Sequence, residues 1–206
     1  MDGNSTDGTK EYLQNLEKPF YTIIEPDTGI YDAMNKGIRH AKGNWLYFLG
    51  ADDQLMSKDV LKEVAVAFED TLDIVSGKIQ YDYSENDSAF VKKNNGVFVT
   101  RWSKKLWIKN TVHHQSTFYS NTLFKNNLFN LDYKVLADYA FNLELFKKKS
   151  AIKTVDMVVA LCGTEGVSKN YTWSLYKEEI RFKTKASSWI LYPLFLKLAI
   201  LKYWFK

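Results

Sequence analysis

Two adjacent carboxylates, Asp52 and Asp53, follow a short apolar run, WLYFL, at residues 45–49. Paired carboxylates are hard oxygen ligands, suited to Mg²⁺ or Mn²⁺, and Mg²⁺ is commonly held by one or two of them together with substrate phosphates. A lone Asp-Asp pair is more often a solvated turn, so the flanking elements decide the reading. Upstream, residues 31–41 read as a helix: Tyr31, Met34, Ile38 and Ala41 recur at helical spacing, and Asp32, Asn35 and Arg39 align on a neighbouring face. Gly43 reads as a glycine that ends this helix. The apolar run reads as a strand covered on both faces, which puts Asp52 and Asp53 just past its carboxyl end, where open α/β sheets bind ligands.

The elements around this stretch alternate. A turn with Asp2-Gly3 and Asp7-Gly8 leads into a helix with Tyr12, Leu13 and Leu16 as its apolar face, and residues 21–24 read as a short strand. Asp2, Asn4 and Thr6 alternate as in a calcium loop, but Asp7 and Leu13 stand where such a loop needs Gly and Glu, so calcium is excluded. After Asp53, Ser57 caps a helix with Val60, Leu61, Val64 and Phe68 on one face, and residues 73–83 read as a strand. Residues 89–92 and 97–100 flank Asn94-Asn95-Gly96, a hairpin signal. A strand at 116–119 follows His113-His114-Gln115, a helix runs from Asp138 to Lys148, a strand spans 152–161, and a helix spans 174–185. Helix–strand alternation with short connections predicts an α/β fold with a parallel sheet.

The composition is that of an ordinary globular protein, with 46% hydrophobic and 25% charged residues. A net charge of +4, without a dense basic stripe, argues against nucleic acid as a partner. Cys162 is the single cysteine, which excludes an intramolecular disulfide and fits a reducing, cytoplasmic compartment. The first residues have no leader pattern. Residues 188–206 are strongly apolar but interrupted by Lys197, Lys202 and Lys206, too broken for a span; with Trp189, Tyr192, Tyr203 and Trp204 they read as an amphipathic helix lying in a membrane surface. A terminal helix packed on its own domain is the alternative.

These residues together resemble the family 2 glycosyltransferases, an inverting group with the GT-A fold. Residues 2–9, DGNSTDGT, look like the family's D-G-x-S-x-D-G-T segment, and residues 27–37, DTGIYDAMNKG, look like D-x-G-I-Y-D-A-M-N-K-G. Gly43 through Asp53 looks like the segment that ends in the family's metal motif. His114-Gln115-Ser116-Thr117-Phe118-Tyr119, Ala137-Asp138-Tyr139 and Gly166-Val167-Ser168 match later segments, so the resemblance runs over residues 2–170.

The resemblance implies a Rossmann-like, mostly parallel sheet flanked by helices at residues 1–172, followed by the helical tail at 173–206. It implies transfer of a sugar from a nucleotide-diphosphate donor to the hydroxyl of a saccharide or lipid-linked acceptor, with inversion, in surface polysaccharide or glycolipid synthesis at the cytoplasmic membrane face. Asp53 would be the ligand of Mn²⁺ or Mg²⁺, which neutralises the diphosphate leaving group. Asp52, Asp2, Asp27, Tyr31, Asp32 and Asn35 would border the nucleotide and donor sugar, with His114 near the diphosphate and its metal. Asp138 would be the base, kept ionised by its helix N-terminus. Family members also carry a strand, a V-x-Y-N-type loop, a helix and a second strand ahead of these segments. The expectation is therefore an N-terminally truncated member, lacking its first βαβ portion, that binds donor weakly or not at all. Two rival readings are a non-catalytic nucleotide-sugar or carbohydrate-binding module and a glycoside hydrolase. Adjacent aspartates suit a metal better than two carboxylates placed across a glycosidic bond.

Overall fold

The computed structural model describes residues 1–82, 95–164 and 170–205. Tyr83, the first arm of the expected hairpin at 89–92, its Asn94, and Gly166-Val167-Ser168 lie outside the described residues.

Helix α1 spans Thr9–Gln14 and α2 spans Ile30–His40; β1 (Trp45–Tyr47), β2 (Gln54–Leu55), α3 (Val60–Ala65), β3 (Ile74–Tyr81) and β4 (Val97–Val99) follow. Then come β5 (Thr117–Ser120), α4 (Ala137–Lys147), β6 (Ile152–Cys162), α5 (Trp173–Ala186) and α6 (Tyr192–Trp204), with short 3₁₀ turns at Lys104–Trp107, His114–Ser116, Asn121–Phe124 and Trp189–Leu191. The sheet runs β1-β5-β3-β6-β2, and β4 pairs with the carboxyl half of β3. Side chains alternate across it. Leu46, Ile74 and Tyr119 face the large core shared with α2, α4, α5 and α6, while Val75, Phe118 and Val159 face α3. The α/β expectation therefore holds, with helices on both faces.

The direction of pairing differs from the parallel sheet expected. Only β3–β6 runs parallel among the named strands; β1–β5, β3–β5, β3–β4 and β2–β6 are antiparallel. Helix–strand alternation forces parallel pairing only when a helix returns the chain to a neighbouring strand, and here β1 and β2 sit at opposite edges of the sheet. Residues 21–24 make no strand, only a parallel bridge between Ile24 and Asp2. Gly43 is not the glycine that ends α2: Ala41 leaves that helix in an extended conformation (φ −67°, ψ 135°), and the Gly43 carbonyl accepts from Asn121 Nδ2 at 2.9 Å. Leu61 is exposed, so the packed face of α3 is Val60 and Val64.

The tail is helical but not amphipathic. Phe195 and Ala199 of α6 are buried in the large core, yet Leu194, Ile200, Leu201 and Trp204 on its other side are exposed. Lys197 is also exposed on that side, but the apolar side chains around it form a second face that water covers poorly. No described helix is long and apolar enough to cross a membrane.

Candidate active site

Asp52 and Asp53 occupy the turn between β1 and β2. Asp53 N–H donates to the Gly50 carbonyl at 3.2 Å, and Asp53 Oδ2 accepts from Gly50 N–H at 3.1 Å. A Cβ on Gly50 would fall 2.6 Å from Asp53 Oδ2 and 3.0 Å from Asp52 Oδ1, so glycine is what lets both carboxylates converge there. Gln115 Nε2 also donates to Asp53 Oδ2, at 2.7 Å. Two of the four carboxylate oxygens thus face one small space beside Gly50, and only Asp53 Oδ2 is tied by the hydrogen bonds described.

This donor set suits a divalent cation. It supplies hard oxygens from two side chains, one of them held in place from outside by an amide. Among the described residues no group of three or more His, Cys, Asp or Glu side chains forms a metal cage. The remaining coordination positions would therefore fall to substrate phosphates and water.

The turn that supplies Gln115 also supplies His114, and it is pinned at several points. The His113 carbonyl accepts from Ser116 N–H, Ser116 Oγ–H and Thr117 Oγ1–H, at 3.1, 2.8 and 2.9 Å. The Gln115 carbonyl accepts from Tyr47 Oη–H at 2.8 Å. His114 Nδ1 lies 2.9 Å from Asp138 Oδ2, in the first turn of α4. Asp138 Oδ1 accepts from Tyr139 N–H at 2.7 Å and lies 2.8 Å from Tyr31 Oη on α2, which also reaches the Val135 carbonyl at 2.8 Å.

Burial is the largest single influence on Asp138 and opposes its ionisation. The hydrogen bond and charge of His114 work the other way, followed by Tyr31 and Tyr139 N–H; together they hold the carboxyl below its ordinary range. Burial, reinforced by the Asp138 charge, pushes the Tyr31 phenol well above its ordinary value, so it remains a donor.

The other residues expected around the donor are engaged by protein partners outside this cluster. Asp2 Oδ1 accepts from Asn4 and Ser5 N–H at 3.1 and 3.0 Å, and its Oδ2 accepts from Ser5 Oγ–H at 2.6 Å. The Ser5 bonds are the main reason its carboxyl sits low. Asp27 Oδ1 accepts from Gly29 N–H at 2.9 Å, and its other oxygen closes on Gly3, where a Cβ would lie 2.4 Å away. Asp32 accepts from Thr28 N–H at 2.9 Å, the contact that most lowers its carboxyl, and pairs with Lys36. Asn35 is 2% exposed and exchanges two hydrogen bonds with the Phe129 backbone, at 2.8 and 2.9 Å.

The structure thus joins Asp53, His114, Asp138 and Tyr31 through one turn, with Asp52 beside Asp53. No described hydrogen bond links Asp2, Asp27, Asp32 or Asn35 to that group. Gln115 had no role assigned from sequence; its position next to His114 was the available signal.

The family model for glycosyl transferase family 2 matches residues 1–150. The chain belongs to this family. A PGL/p-HBAD biosynthesis glycosyltransferase of Mycobacterium bovis (strain BCG / Pasteur 1173P2) is 34% identical over 173 residues, covering 78% of this chain and 62% of its own. An uncharacterized glycosyltransferase of Mycobacterium tuberculosis (strain ATCC 25618 / H37Rv) is 33% identical over 149 residues, 69% of this chain and 54% of its own. The family 2 chain described here therefore spans under two thirds of the length of these curated relatives. Among solved structures, S. aureus TarS 1-349 in complex with UDP-GlcNAc aligns with a TM-score of 0.66 at 19% identity, over 90% of this chain and 55% of that one. The mannosyltransferase PcManGT from Pyrobaculum calidifontis, in complex with GDP-Man and Mn²⁺, aligns with a TM-score of 0.57 at 18% identity, over 97% of this chain and 62% of that one. At such identities the likeness is one of fold, the α/β GT-A architecture.

Proposed function

We propose that this family 2 chain transfers a sugar, with inversion, from a nucleotide-diphosphate sugar to an acceptor hydroxyl on a saccharide or lipid, in surface polysaccharide or glycolipid synthesis. The observation that carries the reading is the convergence of Asp52 and Asp53 beside Gly50, tied through Gln115 to the turn that holds His114 against Asp138. Neighbours of the same fold solved with UDP-GlcNAc, or with GDP-Man and Mn²⁺, support a nucleotide-sugar donor and a divalent cation. The mycobacterial relatives named for PGL/p-HBAD biosynthesis support an acceptor of the glycolipid kind.

Asp53 would hold Mn²⁺ or Mg²⁺ with Asp52 at its side, and the bound ion would supply Lewis-acid neutralisation of the charge that develops on the diphosphate. Gln115 fixes the rotamer of Asp53, so the carboxylate is set before donor arrives. The ionised Asp138, with His114, provides the group that accepts the proton of the incoming hydroxyl. Residues 1–172 would form the transferase domain and residues 173–206 a helical segment that rests on the cytoplasmic face of the membrane. Residues 173–206 hold seven Lys and Arg against two Glu, whereas residues 1–172 hold 21 against 22, so the chain's excess of positive charge lies in this segment.

The test is nucleoside diphosphate release from a panel of nucleotide sugars, with and without Mn²⁺. Metal-dependent release by the wild-type chain, abolished in Asp53→Ala, is the expected result. Equal release by Asp53→Ala, or donor binding with no release from any nucleotide sugar, counts against transfer; the second outcome would favour a binding module.

A further inference from the structure

We propose that the turn at residues 104–109 is a second membrane-docking element, which extends the lipid-facing surface of α6 toward the candidate active site and takes the anionic headgroups of a phospholipid bilayer. The inference rests on the membrane reading given above for residues 173–206 and adds residues outside them.

The sequence concentrates charge of one sign here. Arg101, Lys104, Lys105 and Lys109 fall within nine residues, and no Asp or Glu occurs anywhere from residue 95 to residue 131. All four side chains are exposed. None of them forms an ion pair among the described residues. Cations left without a carboxylate on a folded surface complement an anionic one, and each lysine close to an anionic bilayer strengthens attachment.

The fold holds this turn rigid and against α6. Arg101 N–H donates to the Thr111 carbonyl at 2.8 Å, and Thr111 Oγ1–H donates to the Arg101 carbonyl at 2.7 Å, so the segment closes at its base. Ser103 Oγ accepts from Lys105 N–H at 3.3 Å, and Leu106 is fully buried in the large core. The Trp107 ring stacks on Phe195 of α6, with ring centres 6.3 Å apart and planes 12° apart. The Ile108 carbonyl accepts from Lys202 of α6 and Lys183 of α5. The turn is therefore a flank of the tail helix. The Ile108 side chain is 52% exposed and adds an apolar contact beside the lysines, the combination that interfacial elements use.

A single-stranded nucleic acid fits this surface less well, because it needs free rings on which bases stack. Trp107 is already stacked on Phe195, and Trp102 is tied by its Nε1–H to Ser76 Oγ at 3.0 Å.

The same segment continues through the buried Val112 into the turn whose Gln115 holds Asp53. A bilayer bound at residues 104–109 therefore meets the chain a few residues before the candidate site, on the side from which a lipid-linked acceptor would present its hydroxyl.

The experiment is co-sedimentation of the full chain with vesicles. It compares wild type, a turn variant (Lys104→Gln, Lys105→Gln and Lys109→Gln combined) and a charge-matched control (Lys42→Gln, Lys58→Gln and Lys62→Gln combined) at exposed lysines of other segments. With phosphatidylserine vesicles the turn variant is expected to bind about 10-fold or more weakly than wild type, and the control within about twofold of it. Wild type should bind neutral vesicles, and a single-stranded oligonucleotide, more weakly than phosphatidylserine vesicles. Amine acylation of wild type, which needs no variant, should find Lys104, Lys105 and Lys109 protected by phosphatidylserine vesicles and Lys58 and Lys62 unprotected. The proposal is overturned if wild type does not bind phosphatidylserine vesicles, if the turn variant binds them like wild type, or if the control loses as much. It is equally overturned if the oligonucleotide binds as tightly as the vesicles, or if vesicles leave the three lysines as reactive as before. A turn variant that binds like wild type would leave the tail as the membrane contact. None of these measurements needs donor or turnover, so the glycosyl-transfer reading stands or falls separately, on nucleoside diphosphate release.

Discussion

Gln115 Nε2 lies 2.7 Å from Asp53 Oδ2, across 62 residues of sequence. A second donor, Gly50 N–H, reaches the same oxygen at 3.1 Å, so two bonds set the orientation of the carboxylate. Replacing Gln115 by Ala removes the shorter bond and leaves Asp53 to sample rotamers. The expected result is a roughly 10-fold or greater rise in the Mn²⁺ concentration needed for half-maximal activity, the scale typical of lost outer-shell partners. Metal titration of nucleoside diphosphate release measures it. Asp53→Ala in the same assay gives no metal-dependent signal to titrate.

Asn35 offers a sharp division between structure and binding. Its amide donates to the Phe129 carbonyl and accepts from Phe129 N–H, fully inside the core. Asn35→Leu removes both bonds and leaves two buried backbone groups unpaired, a loss of about 2–6 kcal/mol, since each unsatisfied group costs about 1–3 kcal/mol. Thermal or urea unfolding should show this loss, while the donor KM of the folded fraction stays near wild type. A selective rise in donor KM with unchanged stability would place Asn35 against the donor instead.

How far the sequence foretold this site depends on how local each contact is. Asp52 and Asp53 stood out because an apolar strand and a turn precede them within a few residues. Asp2 lies in a readable turn and Asp32 on a readable helix face, but the sequence does not reveal that their carboxylates are taken up by Ser5 and Thr28. Asn35 lay on a polar helix face, and periodicity alone could not reveal that this face meets Phe129. The bonds Tyr31–Asp138 and Gln115–Asp53 join segments brought together only by the sheet order, which alternation of elements misjudged as parallel. The tail was read as amphipathic from its lysines. Lys202 in fact turns inward to Glu179, so Lys197 stands on an outward face that is otherwise apolar, and apolar side chains lie on both sides of α6.

That inward turn creates a buried charge cluster that makes a pH prediction. Glu179 Oε1 is held by Lys183 and by Lys202, the latter at 2.5 Å, and both ammonium groups also reach the Ile108 carbonyl. Burial pushes the Lys183 ammonium down to about 8, against the pull of Glu179. Between that value and the ordinary 10.5 the unfolded chain holds a proton that the folded chain has released, so this group raises stability as pH rises through the interval. Wild type should therefore gain Tm relative to Lys183→Met between about pH 8 and 10. Glu179→Gln should be the more damaging change, by about 3–5 kcal/mol at neutral pH, because it leaves two lysines without their counter-charge. Thermal denaturation across pH, with all three proteins side by side, reads both effects.

The last prediction concerns the free side of the tail. Trp189 and Trp204 are 79% and 80% exposed, and Phe205 is 85% exposed, so none of them contributes appreciably to the core. Indole rings favour the membrane–water interface, and each lysine near an anionic surface adds about 1 kcal/mol. Both glutamates of residues 173–206 are engaged internally, Glu178 by the backbone N–H groups of Lys134, Val135 and Leu136, and Glu179 by lysine, so the outward charge is positive. The chain should bind vesicles containing phosphatidylserine, more weakly at higher salt, and bind neutral vesicles less. Trp189→Ala, Trp204→Ala and Phe205→Ala combined should weaken that binding by about 10-fold or more while Tm moves little, because surface substitutions rarely exceed about 0.5 kcal/mol. Co-sedimentation with vesicles measures the first and thermal denaturation the second. Self-association that the same triple variant abolishes, without vesicle binding by wild type, would instead identify a second copy of the chain as what covers this face.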